Sequence, residues 1–338
     1  MQAKGASTME STSRYARALS LVALAALAAC ASGQSSQGGA LTPAGSNALR
    51  VTAARLPFAK AQPAHRAGGW LSSAAKSGQH VIYVSDFLAN VVQIYPASGS
   101  NPAPIGQITD GISGPMGSFV DSHGDFFTSN VTNFTVTMYP KGSLNWTLRY
   151  TGLEYPTSVT VGNDGTVYIA DISGNKVFEY LKGSTRPKRI INVTTPQGVA
   201  LDAENNLYVS YNTGQHGGGP GAVNEYAPHS TSGTTLPAQI SWAAGDAIDG
   251  SGNLVVADQS TAQVEIFAPG ASSPTRVIIQ GLQDPFRIAF DKTFKHLYVA
   301  DPEANALFVY DYATGTLTNT ITNGLTSVYG VALFPEKS

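Results

Sequence analysis

The amino-acid sequence predicts an all-β fold, a six-bladed β-propeller with four strands in each blade, from three observations. A strand-like run that closes on a polar residue occurs six times; a second run ending on an aromatic residue follows each copy; and the strand missing ahead of the first copy is found at the C-terminus. Recurrence at a step of 40–47 residues leaves room for about four short strands per copy, which is the mark of a repeat architecture.

The first run is read as Val81-Ile82-Tyr83-Val84 before Asp86, Phe126-Phe127 before Asn130, 167–170 before Asp171, 207–210 before Tyr211, 254–257 before Asp258 and 297–300 before Asp301. Val, Ile, Leu, Tyr and Phe suit a pleated, buried surface, and the polar residue with the turn after it ends the strand. The second run ends on Tyr95, Tyr139, Tyr180, Tyr226, Phe267 and Tyr310. In five copies this aromatic lies 9 residues beyond the polar position, but in the fourth it lies 15 beyond. A Gly-rich insertion at 214–221, which holds His216, accounts for the difference.

A shorter strand precedes copies two to six, at 117–121, 158–162, 198–202, 246–249 and 287–291, and Pro156, Pro196 and Pro285 stand near its start. Turns such as Asn163-Asp164-Gly165 lead from it into the next run. The first copy has no such strand before it, whereas Tyr329-Gly330-Val331-Ala332-Leu333 supplies one at the other end of the chain. A ring closed by this C-terminal strand follows, because closure leaves only short, protected strand edges.

At the level of the repeat the chain resembles the NHL family. The resemblance rests on Pro196-Gln197-Gly198-Val199-Ala200-Leu201-Asp202 followed by Asn206-Leu207-Tyr208-Val209-Ser210, and on the Asp and Asn pairs in 167–177 and 297–307. It covers residues 80–335, with departures at Asn130 and Tyr211.

The N-terminal segment reads differently. Lys4, Arg14 and Arg17 flank an apolar core at 18–29 that has signal-peptide length and is too short to span a bilayer. Leu27-Ala28-Ala29-Cys30 resembles the bacterial lipobox, which implies cleavage before Cys30 and lipid attachment there. Cys30 is the only cysteine, so no intramolecular disulfide is available. The expected organisation is a lipoprotein signal at 1–29, a Ser-, Gly- and Ala-rich tether at 30–77 and the propeller at 78–338. A flexible tether of that length holds its domain roughly 35–40 Å from a membrane. The resemblance implies an exported protein anchored in the bacterial cell envelope, with Ala31 pointing to the outer membrane where the cell has one.

With 12% charged residues and a net charge of −2 the composition argues against a nucleic-acid binder, which would need a basic face. The acidic positions Asp86, Asn130, Asp171, Asp258 and Asp301 should ring one mouth of the channel. They can be ligand oxygens or acceptors for their own turns; repetition in nearly every copy favours the turns. A unique site requires asymmetry, and the starts of the inner strands offer Gln197, Asp246, Arg287 and Tyr329 as polar members. Asp246 and Arg287, on adjacent blades, are expected to neutralise each other, with ligand contact as the alternative. The loop of His216 should lie on the same face as a flexible connection, or alternatively as a lid.

The architecture is similar to that of the gluconolactonase group, whose divalent metal is held by a Glu and an Asn from inner-strand starts and an Asp at a second-strand end. Asp171 or Asp258 matches that Asp, but no inner-strand start supplies the Glu. The paired histidines of streptogramin-lyase-like propellers have no counterpart in the spacing of the histidines here. The sequence therefore points to a monomeric propeller that binds a protein, glycan or small-molecule ligand on one face, without catalysis and without a cofactor. A metal-dependent lactonase or lyase, for which calcium would be the metal, is the alternative.

Overall fold

The computed structural model describes residues 69–71, 80–214 and 217–333; Cys30 and His216 lie outside the described residues. Six antiparallel sheets form, one per blade, and no α-helix occurs among the described residues. Blade 1 is assembled from both ends of the domain. Its second strand, Val81–Asp86, pairs with the C-terminal strand Val328–Leu333, with Tyr83 opposite Ala332 and Val84 opposite Val331. The ring is thereby closed as the sequence predicts. At the outer edge of the same blade Trp70–Leu71, inside the stretch read as a tether, adds a fifth strand against Gly106–Ile108.

The remaining blades each run from an innermost strand outward. The innermost strands are Pro115–Val120, Pro156–Val161, Pro196–Leu201, Ala243–Ile248 and Arg287–Phe290 for blades 2 to 6. Three of them begin on a proline, a residue without an N–H to offer the ladder and so tolerated at a strand's first position. Their starts lie opposite the ends of the second strands, as in Pro156 against Asp171, which puts both on one face of the ring.

The core is divided among the gaps between blades. Ile82, Val84 and Tyr95 of blade 1, for example, pack with Tyr298, Leu307 and Val309 of blade 6. Burial of each such side chain contributes about 1.5–3 kcal/mol. In three blades the aromatic that ends the third strand does more than fill space. Tyr95, Tyr139 and Tyr310 are fully buried and donate their hydroxyls to the carbonyls of Asn323, Asp110 and Gln280 at 2.6–2.7 Å. Each acceptor lies in the loop that leaves the preceding blade, so the tyrosine latches its blade to the one before. Phe267 packs in the same place in blade 5 and has no hydroxyl to do this.

Candidate functional site: the channel and its mouth

The repeated acidic positions are structural acceptors. Asp171 receives main-chain N–H bonds from Glu154 at 2.7 Å, Tyr155 at 2.7 Å and Gly174 at 3.2 Å. Asp258 receives them from Ser241, Trp242, Ser260 and Thr261, and Asp301 from Gln283, Asp284 and Ala304. In blade 1, where the first and last strands of the ring pair, Asp86 holds Ala89 on one side and Thr326 and Ser327 on the other. Each carboxylate therefore joins its own turn to the loop that enters the innermost strand of its blade. The asparagine four residues on holds the next blade: Asn90 accepts from Gly114 at 2.7 Å and Asn175 from Thr195 at 2.8 Å. Both asparagines sit at positive φ, 58° and 52°, a conformation Asn tolerates better than other side chains.

Blade 4 departs from this scheme. Tyr211 occupies the register position of the acid, opposite Pro196, and the polar role passes to Asn212. The Asn212 amide accepts from Ala243 N and donates to Ala243 O, both at 3.0 Å, and so ties blade 4 to blade 5. The described part of the inserted loop is pinned as well: Trp242 Nε1 donates to Gly217 O at 2.7 Å, and Gly214 N to Gly218 O at 2.8 Å. Its described part is thus docked on the entry to blade 5 rather than standing free.

The asymmetric residues meet at the channel, and the reason lies in the register of the inner strands. In five blades the ladder slips at the start of the innermost strand, skipping Thr157, Gln197 and Tyr329 singly, and Ala244 with Gly245 and Met116 with Gly117 in pairs. A bulge of this kind leaves its residue outside the regular pairing and re-aims it. Arg287, which opens the unslipped strand of blade 6, collects the carbonyls so released. Its Nη1 donates to Ala244 O at 2.8 Å, and its Nη2 to Gln197 O at 2.7 Å and Thr157 O at 3.0 Å. These acceptors belong to blades 5, 4 and 3. In a ring of six, blade 3 is diametrically opposite blade 6, so the guanidinium crosses the channel axis and obstructs it at this level.

Close backbone approach makes this possible. A Cβ on Gly117 would lie 2.5 Å from Thr157 O, and one on Gly245 would lie 2.6 Å from Phe286 O. Either contact is closer than side-chain carbons approach, so the inner strands can draw in only where glycine stands. The ring of Phe286 supports the guanidinium, with Arg287 Cζ 4.2 Å from its centroid.

Asp246 lies beside this tie without bonding to it. Its Oδ1 accepts from Ser210 Oγ at 2.9 Å, while Oδ2 and Arg287 Nε are both without a hydrogen-bond partner. Burial pushes the Asp246 carboxyl up to about 7, against the opposing pull of Ser210 and the Arg287 charge. Burial likewise lowers Arg287 to about 10, with Asp246 acting in the opposite sense. The two residues feel each other's charge, but Arg287 is held by main-chain carbonyls.

Above the tie the mouth is aromatic. Phe87, Tyr155, Trp242 and Tyr329 are half-buried and pack against buried Met116, Val131 and Phe286. Tyr329 lies edge-on to Phe286 at 5.0 Å between centroids and tilted against Phe87 at 5.2 Å. Beside them Gln259 Nε2 donates to Asp284 Oδ1 at 2.7 Å. Burial, reinforced by the charges of Asp301 and Glu303, raises the Asp284 carboxyl to about 7. Of the predicted residues, Gln197, Asp246, Arg287 and Tyr329 come together here, with the Gln197 side chain buried beneath the mouth. The rim of Phe87, Tyr155 and Trp242 and the Asp284–Gln259 pair escape a reading confined to strand starts. They flank the repeat, either directly after the acidic positions or directly before the inner strands, where aromatic residues in only some copies are the available signal.

No family model matches the chain, and no curated protein does. Among solved structures, one from a nidogen/laminin complex superposes with a TM-score of 0.62 at 17% identity, covering 77% of this chain and 100% of that one. A catalytically inactive variant of virginiamycin B lyase from Staphylococcus aureus, solved with quinupristin, superposes with a TM-score of 0.52 at 13% identity, covering 75% and 83%. At these identities the similarity is one of fold, and both support the propeller.

Proposed function

We propose that this chain is an NHL-like, lipid-anchored exported propeller that binds a protein, glycan or small ligand at the aromatic mouth, without catalysis. The observation that carries the reading is the division of labour along the channel. The one cation at its neck is engaged by carbonyls of blades 3, 4 and 5, while half-buried rings and the Asp284–Gln259 pair remain at the surface above it. Aromatic surface with a few convergent polar groups is the usual make-up of a recognition site. The carboxylates that the lactonase alternative would assign to a metal, Asp171 and Asp258, already accept several main-chain N–H bonds each. A propeller fold by itself decides none of this, because unrelated activities share it.

A photo-crosslinking residue placed at Tyr329, compared with one at the exposed outer-strand position Val277, tests the mouth. Adducts formed in cells from the mouth position alone are expected; equal labelling from Val277, or none from Tyr329, contradicts the site. Stoichiometric, tightly bound calcium together with lactone turnover would overturn the non-catalytic part. For the anchor, Cys30→Ala should release the protein from membranes, and retention at the wild-type level would contradict lipidation.

A further inference from the structure

The charge around the mouth is of one sign. Its loops carry Asp110, Glu154, Asp284 and Glu303 and, among the described residues, no lysine or arginine. Lys176 opens the third strand of blade 3, one strand farther from the channel than Asp171 opposite it. Arg287 lies beneath the mouth and is committed to three carbonyls. Two of the acids meet the aromatic rings. Asp284 Oδ1 accepts from Gln259, while its Oδ2 accepts no hydrogen bond from the described residues. Glu303, two residues beyond the Asp301 cap, is exposed. Burial, then the charge of Asp284, the Tyr155 phenol and the charge of Glu303, pushes the Tyr329 hydroxyl above its ordinary range, so groups from blades 1, 3 and 6 share one space.

A second, independent observation lies on the floor of the mouth. Gln197 is 3% exposed and leaves its ladder at the bulge, and its carboxamide makes no hydrogen bond with the described residues. Its Nε2 lies 3.9 Å from where a Cβ on Gly217 would stand, in the loop that Trp242 holds, so the amide is turned up towards the mouth. Buried polar groups are normally bonded, and one that is not calls for a partner from outside the fold. The half-buried rings of Phe87, Tyr155 and Tyr329 present faces of negative charge, and the carboxylates add to it. An anion is repelled by such a surface, and a neutral sugar needs donors that it lacks; a weakly hydrated cation suits both the rings and the acids.

Resting on the reading of the mouth as a recognition site, we infer that its occupant is an organic cation. An alkylated ammonium lies among Phe87, Tyr155 and Tyr329, with Asp284 and Glu303 as counter-charges and a hydrogen-bonding group on its tail for Gln197. Choline and its neutral isostere 3,3-dimethylbutan-1-ol differ only in the atom that carries the methyl groups. Calorimetric titration of the full chain with each at pH 8, above the Asp284 value of about 7, therefore isolates the charge. Choline is expected to bind about tenfold more tightly, the ratio that about 1.4 kcal/mol produces. Asp284→Asn, which keeps an acceptor for Gln259, should weaken choline about fivefold, and Glu303→Gln, at an exposed turn, about threefold. Neither should change the affinity of the alcohol, and Val277→Ser on an outer strand of blade 5 should change neither probe. Equal affinity for the two probes overturns the cation and leaves the mouth as a site. Absence of choline binding, or wild-type choline affinity in both Asp284→Asn and Glu303→Gln, also overturns the inference. The crosslinking at Tyr329 decides the mouth separately, because it assumes nothing about charge.

Discussion

The turn-capping ring and the channel neck use the same chemistry, side chains bonded to main-chain groups, in opposite ways. At the ring, Asp86, Asp171, Asp258 and Asp301 repeat one local task, each holding the loop that enters its own blade. At the neck, Arg287 acts once and at long range, joining blade 6 to blades 3, 4 and 5. Repetition builds each blade; the unique residue couples several. A cap is therefore expected to be costly in one blade, whereas the tie is costly for the ring as a whole.

Substitution of the tie should have the largest effect. Arg287→Met keeps much of the side-chain volume but removes the guanidinium bonds to three carbonyls, of which Gln197 O keeps only Thr157 Oγ1, and leaves Asp246 without a nearby positive charge, a loss of about 3–5 kcal/mol in urea denaturation. A variant within about 0.5 kcal/mol of wild type, the range usual for a surface change, would remove the distinction between neck and ring.

The acid beside the tie sharpens the comparison through pH. The folded-state pKa of Asp246, about 7, lies above the unfolded value of 3.8. The folded state thus holds the proton more tightly. The associated stability is complete below about pH 4 and is lost as pH rises through about 7. Asp246→Asn should match wild type near pH 4 and exceed it near pH 8 by on the order of 3 kcal/mol. Parallel stability profiles for the two proteins across this range would contradict the assignment.

Among the caps, the effect should follow the number of N–H groups held. Asp171→Ala, which releases three, should cost about 2 kcal/mol, and Asn130→Ala, whose side chain holds one such group at Ser113, about 1 kcal/mol. Hydrogen exchange should quicken in the affected blade first; uniform loss of protection around the ring would mean that caps and tie act alike. The smallest effect is expected at Phe267→Tyr. Glu265 Oε2, buried near this third-strand end, has no partner, and in blades 2 and 4 the equivalent polar side chain lies 3.1–3.2 Å from a tyrosine hydroxyl. A new hydroxyl there should stabilise by about 0.5–1 kcal/mol, and a loss in thermal unfolding would show that blade 5 has no room for it.

The repeat, the count of six and the closing strand were legible because they depend on strand-length runs and turn residues, which are local. The structural role of the acidic positions was legible for the same reason, since a residue that recurs with its turn acts on its turn. Arg287 was recognisable as exceptional from its place at a strand start, but its partners were not. They are carbonyls, and carbonyls carry no sequence signature; the ladder slips at Thr157, Gln197 and Ala244 that release them emerge only when the strands pair. The pairing expected between Asp246 and Arg287 was close in space and incomplete in chemistry, because the guanidinium is already occupied. Trp242 shows the remaining gap: its partner, Gly217, lies across an insertion with no counterpart in the other blades.

The most direct test of the cross-channel tie is the cost of Arg287→Met measured by urea denaturation near pH 8 in two backgrounds, wild type and Asp246→Asn. If the arginine serves the carbonyls of three blades, the substitution costs about 3 kcal/mol or more in both. If the cost disappears once Asp246 is neutral, Arg287 is only a counter-charge and the account of the channel neck is wrong.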